Sequence, residues 1–136
     1  MNIQTFCEKA SNGACLAFCY IKAALGEHVT PEKMFGILWD AADKNIIDEN
    51  DNCYVNDAIA LMKLANPNKK YSVIKKDITS LEDLNGELAA VSYKNGGYNH
   101  FVLVEKGQIV FDSLDDSKCV KYGKPTTARI IKIEDK

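Results

Sequence analysis

Tyr98-Asn99-His100-Phe101-Val102-Leu103-Val104-Glu105-Lys106-Gly107-Gln108-Ile109-Val110-Phe111-Asp112-Ser113 is the stretch whose reading decides the fold. Two apolar runs flank Glu105-Lys106-Gly107, and glycine in third place supplies the left-handed residue of a three-residue loop, so the stretch reads as a β-hairpin. Closing that loop pairs Val104 with Gln108, and counting outward sets His100 opposite Asp112. Directly opposed residues share a face, with Cβ atoms roughly 4.5–5.5 Å apart, whereas a slip of one residue would part them. An imidazole beside a carboxylate is the orienting half of a catalytic triad, because the acid fixes the imidazole tautomer. The same pair also serves as a plain structural hydrogen bond, so a nucleophile decides between the two readings.

The chain offers thiols near its start for that role, and Cys15 is the best placed. Leu16, Ala17, Phe18, Tyr20, Ile21, Ala23, Ala24 and Leu25 are apolar nearly all round, which predicts a buried helix from Gly13 or Ala14 to Leu25. Ser11 or Asn12 is the expected cap and Gly26 the stop. Cys15 then lies in the first turn, where amide N–H groups and the positive dipole end favour a thiolate. Cys19, one turn past Cys15, reads as a small buried apolar residue.

The chain has 136 residues, enough for one domain with a real core, and the expected organisation is a single domain over 1–136. A net charge of −2 supplies no basic excess for phosphate, so nucleic acid is not an expected partner. No apolar run is long enough to span a bilayer, and the N-terminus lacks the basic segment and apolar core of a signal peptide. A cytoplasmic protein with no membrane partner is expected. Its five cysteines, odd in number, then read as reduced thiols. Without a CxxC pair, neither a metal nor a cofactor is expected.

Further along, Thr30-Pro31-Glu32 opens a second helix whose apolar face carries Met34, Phe35, Leu38, Ala41 and Ala42; Trp39 either covers the core or rims a cleft, and core is the preferred reading. The acidic stretch 46–53 lacks the mid-loop glycine of an EF-hand and reads as a solvated loop. Asn56 is the expected cap of a third helix ending near Asn66-Pro67. Strands are expected at 71–74, 88–93, 120–122 and 128–133, with a capping box at Thr79-Ser80-Leu81-Glu82. Both faces of the hairpin are apolar, which predicts strands central in a sheet and covered on one face by helices. Helices first and an antiparallel sheet afterwards is an α+β plan.

Cys15-Leu16-Ala17-Phe18-Cys19-Tyr20-Ile21, the end Ala24-Leu25-Gly26 and Asn99-His100-Phe101-Val102 resemble papain-like cysteine peptidases, in particular compact bacterial members related to double-glycine leader peptidases. The likeness is closer to a short uncharacterised family of spirochaete and phage proteins, through Met34–Asp48, Tyr54-Val55-Asn56, Phe111-Asp112-Ser113, Lys121-Tyr122-Gly123-Lys124 and Ala128-Arg129-Ile130. The resemblance implies a papain-like fold, N-terminal helices packed on the sheet, and a Cys-His-Asp hydrolase. Two departures stand out. Leu16 replaces the glycine that follows the leader-peptidase cysteine. The oxyanion glutamine, about six residues before the nucleophile in that family, has no match at Lys9. Asn12 and Gln4 remain as candidate oxyanion donors. A second alignment to the family's motif sets Ser11 as the alternative nucleophile position, with Gln4 then nearly where the family's glutamine belongs; Cys15 is preferred and Cys7 is third.

The expected activity is therefore cleavage of a peptide, isopeptide or related amide bond, with Cys15, His100 and Asp112 as the triad and a peptide or protein as substrate. Two alternatives stand beside it. One is an inactive binding module on the same scaffold, a phage-type effector or inhibitor. The other is an acyl- or amidotransferase using the same triad.

Overall fold

The computed structural model describes residues 2–26, 29–114 and 118–136; the side chain of Asn12 lies outside that description. The chain is α+β, with helices in its N-terminal part and a five-stranded antiparallel sheet in its C-terminal part. It divides into two compact units, residues 1–71 with 133–136 and residues 72–132.

The first unit is built on helices α1 (Ile3–Gly13), α2 (Cys15–Leu25), α3 (Pro31–Asp43) and α4 (Ala58–Ala65). α2 packs against α1, α3 and α4, which is why its sequence is apolar all round. Ala17, Phe18, Cys19, Tyr20, Ile21 and Ala24 are buried. Phe18 meets Phe35 of α3 edge to face, with ring centroids 5.2 Å apart. Thr30 caps α3 by accepting from the Lys33 amide, with Pro31 at the first helical position, as the sequence indicates. A short hairpin pairs β1 (Ile47–Asp48), inside the stretch expected to be loop, with β2 (Tyr54–Val55) just after it.

Several boundaries differ from the sequence reading. α1 was not expected, because Asn2 caps it and its burial is confined to Phe6 and Ala10. A helix with so few apolar contacts leaves little periodic signal. Ala14 therefore precedes α2 in place of a side-chain cap, and Ser11 sits inside α1. Asp57, not Asn56, caps α4 through the Ala60 amide. Trp39 is 38% exposed rather than a core residue.

The second unit holds most of the sheet, in the order β3 (Lys69–Asp77), β7 (Lys124–Asp135), β4 (Ala89–Asn95), β5 (Tyr98–Glu105), β6 (Gln108–Phe111). Ala89, Val91, Tyr93, Val102, Val104, Ala128 and Ile130 form one buried face with Ile78 and Leu84. Leu81 of the 3-10 turn Leu81–Leu84 and Cys119 and Val120 of α5 (Lys118–Tyr122) pack onto that cluster. Residues 120–122 are thus helical rather than a strand. The capping box is Ser80 with Asp83, one residue later than the sequence suggested. β4 is buried on both faces along Ala89–Tyr93, as a central strand should be. β6 is instead an edge strand, with Ile109 39% and Val110 50% exposed, so its apolar pattern does not mark burial on two faces.

The β5–β6 connection is tighter than a three-residue loop. Glu105 pairs with Gln108, leaving only Lys106 and Gly107 between the strands. Both have positive φ, 54° and 74°, as a two-residue type I′ turn demands. Lysine in that left-handed position is strained, whereas Asn-Gly suits it. Lys106→Asn is expected to raise stability by about 0.5–1 kcal/mol, read as a higher urea midpoint at unchanged slope.

Candidate functional site

His100 is the third residue of β5, paired across the sheet with Tyr93 of β4 and 3% exposed. Its Nε2 lies 2.6 Å from Oδ1 of Asp112, which follows the last residue of β6. The sequence reading anticipated this pair, but by a different register. With a two-residue turn alone, Asp112 would count opposite Phe101 and face away from His100. A bulge restores the match: Val104 pairs with Ile109 but Leu103 with Phe111, so Val110 is the extra residue on β6. Asp112 then counts opposite Val102, on the face of His100 and diagonal to it, a spacing that side chains span.

The carboxylate is itself held. The Leu114 amide donates to the same Oδ1 at 2.9 Å, an Asx turn that closes Asp112-Ser113-Leu114. The sequence reading missed this contact, although an aspartate two residues before a chain reversal is its usual signal. Asp112 keeps 22% of its side chain exposed while the imidazole is buried. A carboxylate on Nε2 takes the Nε2–H and leaves the lone pair of neutral imidazole on Nδ1.

In the first unit, Cys15 is the first residue of α2, in its first turn as anticipated, and it is half-buried. The dipole argument is weaker than the sequence implied. The carbonyl end of α1 lies one residue before the amide end of α2, and Ala14 completes helical bonds in both directions, to Ala10 and from Phe18. Opposite partial charges so close offset one another. The backbone before Cys15 is also pressed from outside. A Cβ built on Gly13 would stand 2.5 Å from the Asn52 carbonyl oxygen, so only glycine fits there. Asn52 and the following Cys53 both adopt left-handed φ, 52° and 57°, to make that approach.

The other candidates are less favourably placed. The Ser11 hydroxyl donates to the Cys7 carbonyl at 2.8 Å, a back-bond within α1. Gln4 is exposed on the first turn of α1, and a helical rise of about 1.5 Å per residue sets it some 13 Å from Gly13 along the axis. A glutamine side chain does not cover that distance, which leaves it remote from a carbonyl bound at Cys15. The Asn12 side chain is outside the described residues. Cys53 is 2% exposed. Burial and then Glu49 push its thiol up, Lys9 pulls it down, and Asp48 adds a smaller push. Among the described residues, no group of three or more His, Cys, Asp or Glu side chains is placed to hold a metal ion, and no helix is long and apolar enough to cross a membrane. No protein-family model, curated protein or solved structure matches the chain.

Two outcomes follow. Asp112→Ala strands the buried Nε2–H and is expected to cost about 1–3 kcal/mol, whereas Asp112→Asn keeps an acceptor and costs less; urea midpoints of the three proteins check this. Cys53 gives the pH dependence. Its folded thiol stays protonated after the unfolded one has ionised, so the folded state holds more protons above the ordinary value of 9.0. That contribution is complete below pH 9.0 and is lost as pH rises through the folded pKa. Urea midpoints between pH 8 and pH 10 should fall less steeply in Cys53→Ala than in the wild type.

Proposed function

We propose that the chain is a cysteine hydrolase that cleaves a peptide, isopeptide or related amide bond, with Cys15 as nucleophile, His100 as base and Asp112 as its orienting acid. The observation that carries this reading is the buried His100 ring held at 2.6 Å by Asp112, whose carboxylate is itself fixed by the Leu114 amide. A carboxylate on Nε2 would set the tautomer that lets Nδ1 accept a proton, as a base requires. A half-buried cysteine at the start of an apolar helix is the second support.

In the proposed cycle the Cys15 thiol gives its proton to Nδ1 of His100, and the thiolate adds to the substrate carbonyl carbon. The tetrahedral intermediate collapses as the C–N bond breaks, and the imidazolium returns the proton to the leaving amine. Water then attacks the thioester, losing a proton to His100, and the acid leaves as Cys15 regains its proton. Asp112 keeps Nε2–H pointed at itself throughout and stabilises the imidazolium. One oxyanion donor is worth about 2.7–4 kcal/mol; the Cys15 amide is the candidate, with the Asn12 side chain beside it in sequence. No cofactor enters this cycle. Transfer of the acyl group to an amine in place of water would make the same triad an acyl- or amidotransferase.

The remoteness of Gln4 favours one second reading, a papain-like binding module that has lost its turnover. The two readings part on Cys15→Ala. Incubation with a pool of peptides and isopeptide-linked conjugates, read by mass spectrometry, should yield cleaved products with the wild type. Cys15→Ala should keep the fold, because one half-buried sulfur is removed, and should yield none. Folded Cys15→Ala with undiminished cleavage would contradict the hydrolase reading, and undiminished biological activity without any cleavage would leave the binding module in its place.

A further inference from the structure

We propose that the concave site at the C-terminal end of α3 binds a primary ammonium group on a short apolar stem, as in an aliphatic amine or a lysine side chain. Trp39, Ala42 and Asp43 fall at i, i+3 and i+4 on α3 and form one wall, while Asn45 from the turn after α3 and Glu49 from the β1–β2 connection form the other. They enclose about 280 Å³, just under the roughly 300–1,000 Å³ of whole small-molecule sites, a size suited to one side chain or a small amine.

This site is negative, and although Lys9 acts on the neighbouring Cys53 thiol, no described side chain forms an ion pair with Asp43 or Glu49. The last turn of α3 has no basic residue against its negative dipole end; Asp43 stands there instead. Lys44, the nearest lysine in sequence, is engaged 2.5 Å from Asp40. The negative field extends to Cys53, whose thiol Glu49 helps to push up. An acidic residue at a helix C-terminus beside a second carboxylate is a destabilising arrangement, and a cation relieves all of it at once.

The indole decides which cation. Trp39 is 38% exposed and braced by the Phe6 ring, edge to face at 4.9 Å. An aromatic face attracts a cation and covers a methylene stem, but it offers a metal ion no lone pair. A single aromatic wall is too little for a quaternary ammonium, which relies on several. A primary ammonium has three N–H donors, matching the acceptors of Asp43, Glu49 and the Asn45 amide oxygen. The site is independent of the triad reading and stands whether or not Cys15 acts.

The chain has one tryptophan, so its emission reports this site directly. Protonated n-butylamine and Nα-acetyl-lysine methylamide are titrated at pH 7 against tryptophan fluorescence, with n-butanol as the neutral control and circular dichroism to confirm folding. A saturable change is expected with n-butylamine and not with n-butanol, weakened roughly fivefold in Glu49→Gln and in Asp43→Asn and weakened again by added salt. Saturation with both amines assigns the site to a peptide-borne lysine, and saturation with n-butylamine alone to a free amine. No saturable change with either, an equal change with n-butanol, or undiminished binding in folded Asp43→Asn/Glu49→Gln would overturn the proposal.

Discussion

A buried imidazole with its carboxylate 2.6 Å away is the constraint around which the second unit is arranged. Placing a polar ring on the apolar face that also carries Val102 and Val104 costs free energy unless its N–H is satisfied. Asp112 satisfies it, yet lies beyond the end of β6, so the chain must deliver that residue to the right face at the right height. The type I′ turn at Lys106-Gly107 fixes the start of the count, and the extra residue Val110 corrects its parity. The Asx turn through the Leu114 amide then stops the carboxylate from rotating away. Each device is local, but none is useful alone. A flat hairpin without the bulge would send Asp112 to the opposite face.

The first unit has its own organising element in α2. Three helices pack around it, so nearly all its residues are apolar, Lys22 being its one charged side chain, and its first residue is a cysteine. Gly13 and the left-handed pair Asn52-Cys53 bring a loop carbonyl against the backbone just before Cys15. Residues in strained left-handed positions persist only where the surrounding structure holds them. Here the close approach and the buried Cys53 side chain do so. The backbone ahead of Cys15 is thereby fixed from two sides, by the helical bonds through Ala14 and by this loop.

Much of this was legible in the sequence because it rests on periodicity and turn chemistry. α2 reads as buried from its unbroken apolar run, and α3 from Thr30-Pro31 and the spacing of Met34, Leu38, Ala41 and Ala42. The His100–Asp112 contact was anticipated from a loop one residue too long without a bulge, two differences that compensate in parity and nearly in position. Sequence cannot separate those cases, since a bulge has no residue signature as firm as glycine in a turn. α1 was missed because Phe6 and Ala10 alone do not make a visible stripe. Residues 120–122 were read as strand because Val120 and Tyr122 alternate, whereas tertiary packing of Cys119 and Val120 against the sheet selects a helix. For Trp39 the sequence left core and cleft rim open with core favoured, and the side chain lies partly open in a concave site with two carboxylates.

The central claim joins a thiol to an imidazole, and the most direct measurement follows that coupling. The alkylation rate of Cys15 by iodoacetamide is recorded from pH 5 to pH 9 by peptide mass spectrometry, in the wild type and in His100→Ala. A base that accepts the thiol proton sustains thiolate below the ordinary range, so the account predicts rapid wild-type alkylation at pH 6 and a return to ordinary thiol behaviour, near pH 8.5, in folded His100→Ala. Identical pH profiles for the two proteins would contradict it.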